Sequence, residues 1–198
     1  MKKYSFFIPF LILFFVGCTI KPMEVDLGTN HFNNQAPLNI NIKTIYIEKV
    51  EKEIKVDYTG FGDSQIPIQT KESTASVVEK DMKEYFSKLV FNSNSNRTLV
   101  VTIKEATPYW IFSTANKIPV VGVFSAGMDT DYSLNLNVLF EIEENGKVIN
   151  SYSYSDVITI KNSASFEEDI KKGYQKLIKS YRNVFFNELE SKFLKRYL

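Results

Sequence analysis

Cys18 carries the one thiol in 198 residues, and its surroundings indicate the chemistry open to it. It follows Phe15-Val16-Gly17 at the end of the only long apolar run, Phe6 to Val16, which Pro9 breaks once and Lys2 and Lys3 precede. A basic start, an apolar middle of about 7–15 residues and a small residue at the cut are the marks of a secretory signal peptide. The run is too short to cross a bilayer as a stable helix, which takes roughly 20 apolar residues. Cleavage between Gly17 and Cys18 would place the thiol on the first residue of the mature chain, open to S-acylation. A lone cysteine is often a small buried hydrophobe, but at the end of such a run that reading loses force.

Little else in the chain has the makings of chemistry. His31 is the only histidine and has neither a cysteine nor a second histidine to share a metal with. It is read as an exposed spacer residue. Gly60-Phe61-Gly62 lacks the Gly-Lys-Ser/Thr that would make it a phosphate loop, and a turn is the better reading. The acidic pairs Glu143-Glu144 and Glu167-Glu168 fall in a hairpin turn and in the first turn of a helix, where carboxylates are ordinary. No Gly-x-Ser-x-Gly, HExxH, Walker or dinucleotide motif occurs. The expectation is a protein without catalytic residues, metal or cofactor.

A small residue followed by cysteine is how the lipobox of bacterial lipoproteins ends, and Phe15-Val16-Gly17-Cys18 resembles it, with Phe15 where that class usually has Leu. The resemblance implies diacylation of the Cys18 thiol, removal of residues 1–17 and acylation of the new amino terminus. Because Thr19 rather than Asp follows, it also implies sorting to the outer membrane in a double-membrane bacterium. Acylation explains how a chain without a spanning helix is held. One acyl chain binds marginally and two or more anchor stably, at roughly 0.8 kcal/mol per buried CH₂.

Removing Lys2 and Lys3 from the 24 basic side chains leaves 22 against 23 acidic ones, a balance of −1. That gives no electrostatic claim on nucleic acid, which shows as a basic patch or high pI. With no cysteine but Cys18, no intrachain disulfide can form. Stability must come from a core, and 16 Phe and 11 Tyr supply one. About 180 mature residues fit one domain.

Residues 18–37 hold the anchor and a stretch with Pro22, Gly28, Pro37 and several Asn, read as a flexible spacer. The domain is expected over 38–198. Leu38, Ile40 and Ile42 alternate, then Ile45 and Ile47 after a one-residue phase shift, which predicts a strand with a bulge. Tyr58 to Gln69 reads as loop. Val78, Met82, Tyr85, Phe86 and Leu89 form one helical stripe, and Ser76 with Glu79 has capping-box spacing. Leu99, Val101 and Ile103 predict a strand to about Ala106. Tyr132 to Ile142 gives six apolar positions at period 2, followed by the Asn145-Gly146 hairpin signal and a return strand to about Ile160. A long helix closes the chain, with Ser165 and Glu168 at capping-box spacing and a stripe from Ile170 to Leu189. Its last turns, Phe193 to Leu198, either project to meet a partner or fold back on the sheet.

Pro108 to Asp131 is the least ordinary segment, because turn formers interrupt a strongly apolar run that holds the single Trp110. One reading is a β-hairpin or irregular strand pair with its aromatics in the core. The other is an exposed apolar flap, with Trp110, Phe112, Val121 and Phe124 meeting a partner, a lipid or the membrane surface.

This order of elements predicts an α+β domain, an antiparallel sheet with two helices packed on one face. An early strand, a helix, an Asn-Gly hairpin and a C-terminal helix behind a lipobox resemble the YajG-like outer-membrane lipoproteins in layout, a resemblance that carries no site residues. The first functional expectation is a lipid-anchored, non-catalytic, periplasm-facing protein that acts through an envelope protein partner. The alternatives are a lipid-handling lipoprotein of lipopolysaccharide or phospholipid transport, with a lipid ligand in an aromatic cleft, and a surface-exposed adhesin.

Overall fold

The computed structural model describes residues 22–28, 38–50, 62–113 and 129–197. Cys18, Gly17, His31, Val121 and Phe124 lie outside them. The fold is α+β, as expected. Its main sheet has five strands: Thr44–Lys49 (β2), Ser64–Pro67 (β3), Arg97–Phe112 (β5), Asp129–Glu144 (β6) and Lys147–Ser163 (β7). The order is β2-β5-β6-β7, with β3 on the same edge of β5 as β2. Antiparallel pairing dominates, but β2 runs parallel to β5, Thr44 opposite Thr98 through Lys49 opposite Ile103, so the sheet is mixed. The helix Thr74–Phe86 (α1) lies over β2 and β5, and Glu167–Glu188 (α2) over β6 and β7.

The period-2 reading of β6 holds along its length. Tyr132, Leu134, Leu136, Val138, Phe140 and Ile142 are all buried against the helices, while Asn135, Asn137 and Leu139 on the other face stay half-exposed. Each buried side chain of this size contributes about 1.5–3 kcal/mol. The helices answer with Val78, Met82 and Tyr85 from α1 and Tyr174, Leu177, Ile178, Tyr181 and Phe185 from α2, all buried. Gly173 lets α2 sit on the sheet, because a Cβ there would overlap the buried Tyr132 ring. The Asn145-Gly146 turn has φ of 52° and 75°, the left-handed pair that a type I′ hairpin needs.

Several boundaries differ from the sequence reading, each for a physical reason. The phase shift after Ile42 is no bulge. It separates β2 from a short strand, Asn39–Ile40 (β1), that pairs in parallel with Val90–Phe91 (β4) in a sheet of their own. β5 continues past Ala106 because its register shifts between Ile103 and Glu105, putting Ala106, Pro108 and Trp110 on the face of Leu99, Val101 and Ile103. Pro108 is tolerated there; its carbonyl accepts from Ile68 N–H at 3.0 Å. The stretch read as loop from Tyr58 to Gln69 contains β3, paired with the extended end of β5.

Capping departs as well. Ser73, not Ser76, caps α1, its hydroxyl accepting from Ser76 N–H at 3.2 Å. Glu79 pairs instead with Lys83, whose hydrogen bond holds the carboxyl below its usual range. At α2 the N-cap is Phe166, 75% exposed, and Asp169 accepts from its N–H at 3.2 Å, so only half of a capping box exists. Phe166→Ser would complete the box. It should raise stability by about 0.5–2 kcal/mol, and a chemical denaturation midpoint that fails to rise would contradict this account of the cap.

Beyond α2 the chain makes a π-helical stretch, Leu189–Leu194, and a last turn, Lys195–Tyr197. The extra residue per turn rotates Phe193 and Leu194 inward, where both are fully buried, Phe193 at 5.1 Å from the Phe140 ring. These two residues fold back and do not project.

Candidate functional site

Two features of the domain surface bear on function. The first is the end of the strand pair β5–β6. Trp110 lies opposite Tyr132 on one side and Ile66 of β3 on the other, and Phe112 lies opposite Ser64. Trp110 and Phe112 point to the helix-bearing face, half-buried, with ring centroids 5.8 Å apart and edge to face. The strand-pair reading therefore describes this segment as far as the described residues go. Trp110 packs on the margin of the core and Phe112 caps it from outside. Thr130 ties the pair together, its hydroxyl donating to the Ile111 carbonyl at 2.5 Å.

The second feature was not anticipated. Residues 22–28, read as flexible spacer, lie as an extended strap on the domain. Met23 N–H donates to the Gln69 carbonyl and Lys71 N–H to the Met23 carbonyl, both at 2.9 Å, in a parallel bridge with Thr70. Met23, Val25 and Leu27 pack on the core while Glu24 and Asp26 face water. Two residues of α2 hold the strap's far end. Gln175 donates to the Asp26 carbonyl at 2.7 Å and Arg182 to that of Leu27 at 3.1 Å. Arg182 also makes a bidentate pair with Asp81 of α1, at 2.9 and 3.1 Å, with the Asp81 side chain 4% exposed. The signal was present as alternation in Met23-Glu24-Val25-Asp26-Leu27, but flanking Pro, Gly and Asn masked it.

Pro22 of the strap and the middle of β5 border a recess of about 330 Å³. Pro22, Val50, Ile68, Thr70 and Thr74 line it with Glu105, Ala106 and Thr107 of β5. Its walls bring one carboxylate and scattered hydroxyls, without a nucleophile–base pair. Among the described residues no group of three or more His, Cys, Asp or Glu could hold a metal, and no helix is long and apolar enough to cross a membrane.

The most perturbed titratable groups are core tyrosines. Burial pushes Tyr85 and Tyr132 up to about 12, helped by Glu190 and Asp169 respectively, while the Asn162 hydrogen bond opposes it at Tyr132. Burial also raises Tyr154, Tyr174 and Tyr181. These rings fill the helix–sheet interface and serve packing rather than proton transfer.

No protein-family model matches the chain, and no curated protein does. Among solved structures, a DUF330 protein from Xanthomonas campestris is similar at TM-score 0.42 and 4% identity, over 84% of this chain and 93% of that one. A minor lipoprotein from Acinetobacter baumannii gives TM-score 0.41 and 15% identity, over 78% and 96%. A Helicobacter pylori homologue of a neuraminyllactose-binding hemagglutinin gives 0.34 and 12%, over 87% and 98%. Likenesses at this level carry no function across.

Proposed function

We propose that this chain is a non-catalytic lipoprotein, anchored in the outer membrane through acylated Cys18 and facing the periplasm, that works through protein contacts in envelope assembly or maintenance. The observation that carries the reading is Phe15-Val16-Gly17-Cys18 at the end of a signal-type apolar run, with the only cysteine at the cut. The helix–sheet interface supports it over lipid handling. Tyr132, Phe140, Leu177, Tyr181, Phe185 and Phe193 fill the contact between α2 and the sheet, each at 0% exposure.

Two measurements test it. Cys18→Ala should move the protein almost wholly from the membrane fraction to the soluble one, since the anchoring energy resides in the acyl chains; membrane retention of that variant would sink the anchor. Affinity purification of the intact protein from its own membranes should bring down specific proteins in fixed ratio. Stoichiometric phospholipid or lipopolysaccharide with no protein partner would overturn the assembly role in favour of lipid handling.

A further inference from the structure

We propose that the end of the domain bearing Ile66, Trp110, Phe112 and Phe166 is its bilayer contact, held against the phospholipid surface by the strap. This rests on the anchored reading above and adds to it an orientation and a lipid-facing surface.

The length of the tether decides the matter. If 18–37 were free spacer, the domain could stand well clear of the membrane in any orientation. The strap docks from Pro22 onward, so four residue steps separate the domain from Cys18, a reach of at most about 14 Å. Pro22 lines the same recess as Thr107. From that level β5 runs on to Phe112, about 16 Å further at strand rise. The overhang of the strand is as long as the tether, so a domain standing on this end brings its strand tip to the level of the acylated residue.

The chemistry of this end fits a headgroup–acyl boundary. Trp110 and Phe112 share the helix-side face with Ile66 beside them, and amphipathic aromatic rings favour that depth of the bilayer. Asp129 and Asp131 of the strand tip alternate onto the opposite face of the sheet, away from Trp110 and Phe112, while Glu167 and Glu168 stand exposed beside Phe166. Phe166 is the independent sign. It follows β7, whose terminal Ser163 lies opposite Asp129, so it sits at the same end. There an aromatic, 75% exposed, occupies a helix N-cap that a serine would fill better. A helix that forgoes a side-chain cap and exposes a phenylalanine at this end leaves that ring available for a contact outside the fold.

Trp110 is the only tryptophan, so its fluorescence reports this surface alone. The acylated full-length protein is reconstituted into phosphatidylethanolamine–phosphatidylglycerol vesicles with lipids brominated near the headgroup. Trp110 emission should fall about twofold or more, with a shift to the blue, while Cys18→Ala protein added to the same vesicles stays unquenched. Phe166→Ser, which preserves the fold, should weaken the quenching of the acylated protein. A flexible Gly-Ser insertion between residues 18 and 22 should abolish most of it. If mass spectrometry confirms the acyl chains and the protein floats with the vesicles, yet Trp110 is quenched by aqueous acrylamide and not by bromolipid, the orientation is wrong and the anchor stands. If no acyl chains are found, the anchored reading falls and this inference with it.

Discussion

Replacing Arg182 by Met should cost about 3–5 kcal/mol, the largest loss expected from any single substitution considered for this domain, because it removes the bidentate cation from a buried carboxylate. Asp81 faces α2 from the buried side of α1, and the Arg182 guanidinium meets both of its oxygens. The same guanidinium holds the Leu27 carbonyl, so its removal also frees the strap's far end. Replacing both partners, Asp81→Leu with Arg182→Met, should recover most of the loss, since an apolar pair of similar volume leaves no charge to solvate. Urea denaturation of the two single variants and the double variant measures this. A double variant as unstable as Arg182→Met alone would show that Arg182 acts through the strap and not through Asp81. Proteolysis near Gly28 should accelerate in either Arg182 variant.

Stability should collapse between about pH 10 and pH 12, the interval between an ordinary tyrosine and those in this core. Burial holds Tyr85 and Tyr132 at about 12, and it raises Tyr154, Tyr174 and Tyr181 as well. The sign follows from proton counting. Above pH 10 the unfolded chain releases phenolic protons that the folded chain keeps, so the stability present in full below pH 10 is lost as the pH climbs. Each such tyrosine contributes a slope of about 1.4 kcal/mol per pH unit, and Tyr85 and Tyr132 together about 3. Tyr85→Phe should remove one tyrosine's share of that slope, which separates it from the loss of lysine ion pairs in the same interval. A denaturation midpoint that stays level to pH 11.5 would contradict the burial of these rings.

Much of this architecture is legible in the chain because it rests on local periodicity. Tyr132 to Ile142 alternates without a break, Asn145-Gly146 supplies the backbone that only a tight hairpin wants, and the two helical stripes repeat at 3.6 residues. What escapes such reading depends on distant partners. β3 looks like loop because its Pro67 and nearby Gly62 are turn formers, and only the extended end of β5 gives it a strand to pair with. β5 itself runs through a register shift and past Pro108, which costs nothing where its carbonyl alone is used. Phe193 and Leu194 look free to project until a π-helical stretch turns them onto Phe140 and Tyr152. The parallel pairing of β2 with β5 leaves no local trace, since direction depends on the path between strands rather than on either one.

The candidate site divides the same way. The lipobox-like run is written in consecutive residues, legible before any folding, and on the proposed reading it names the Cys18 thiol as the atom to be acylated. Where that atom sits relative to the domain is not local information. Met23 to Leu27 become a strap only because Gln69, Lys71, Gln175 and Arg182, all distant in sequence, present hydrogen-bonding groups to it. A seven-residue segment with one proline and one glycine has too few contacts of its own to order itself against its conformational entropy. The chain by itself therefore specifies a candidate lipidation site and a two-layer domain. Tertiary packing decides how short the link between Cys18 and the domain is, and on the proposed reading which end of the domain stands nearest the membrane.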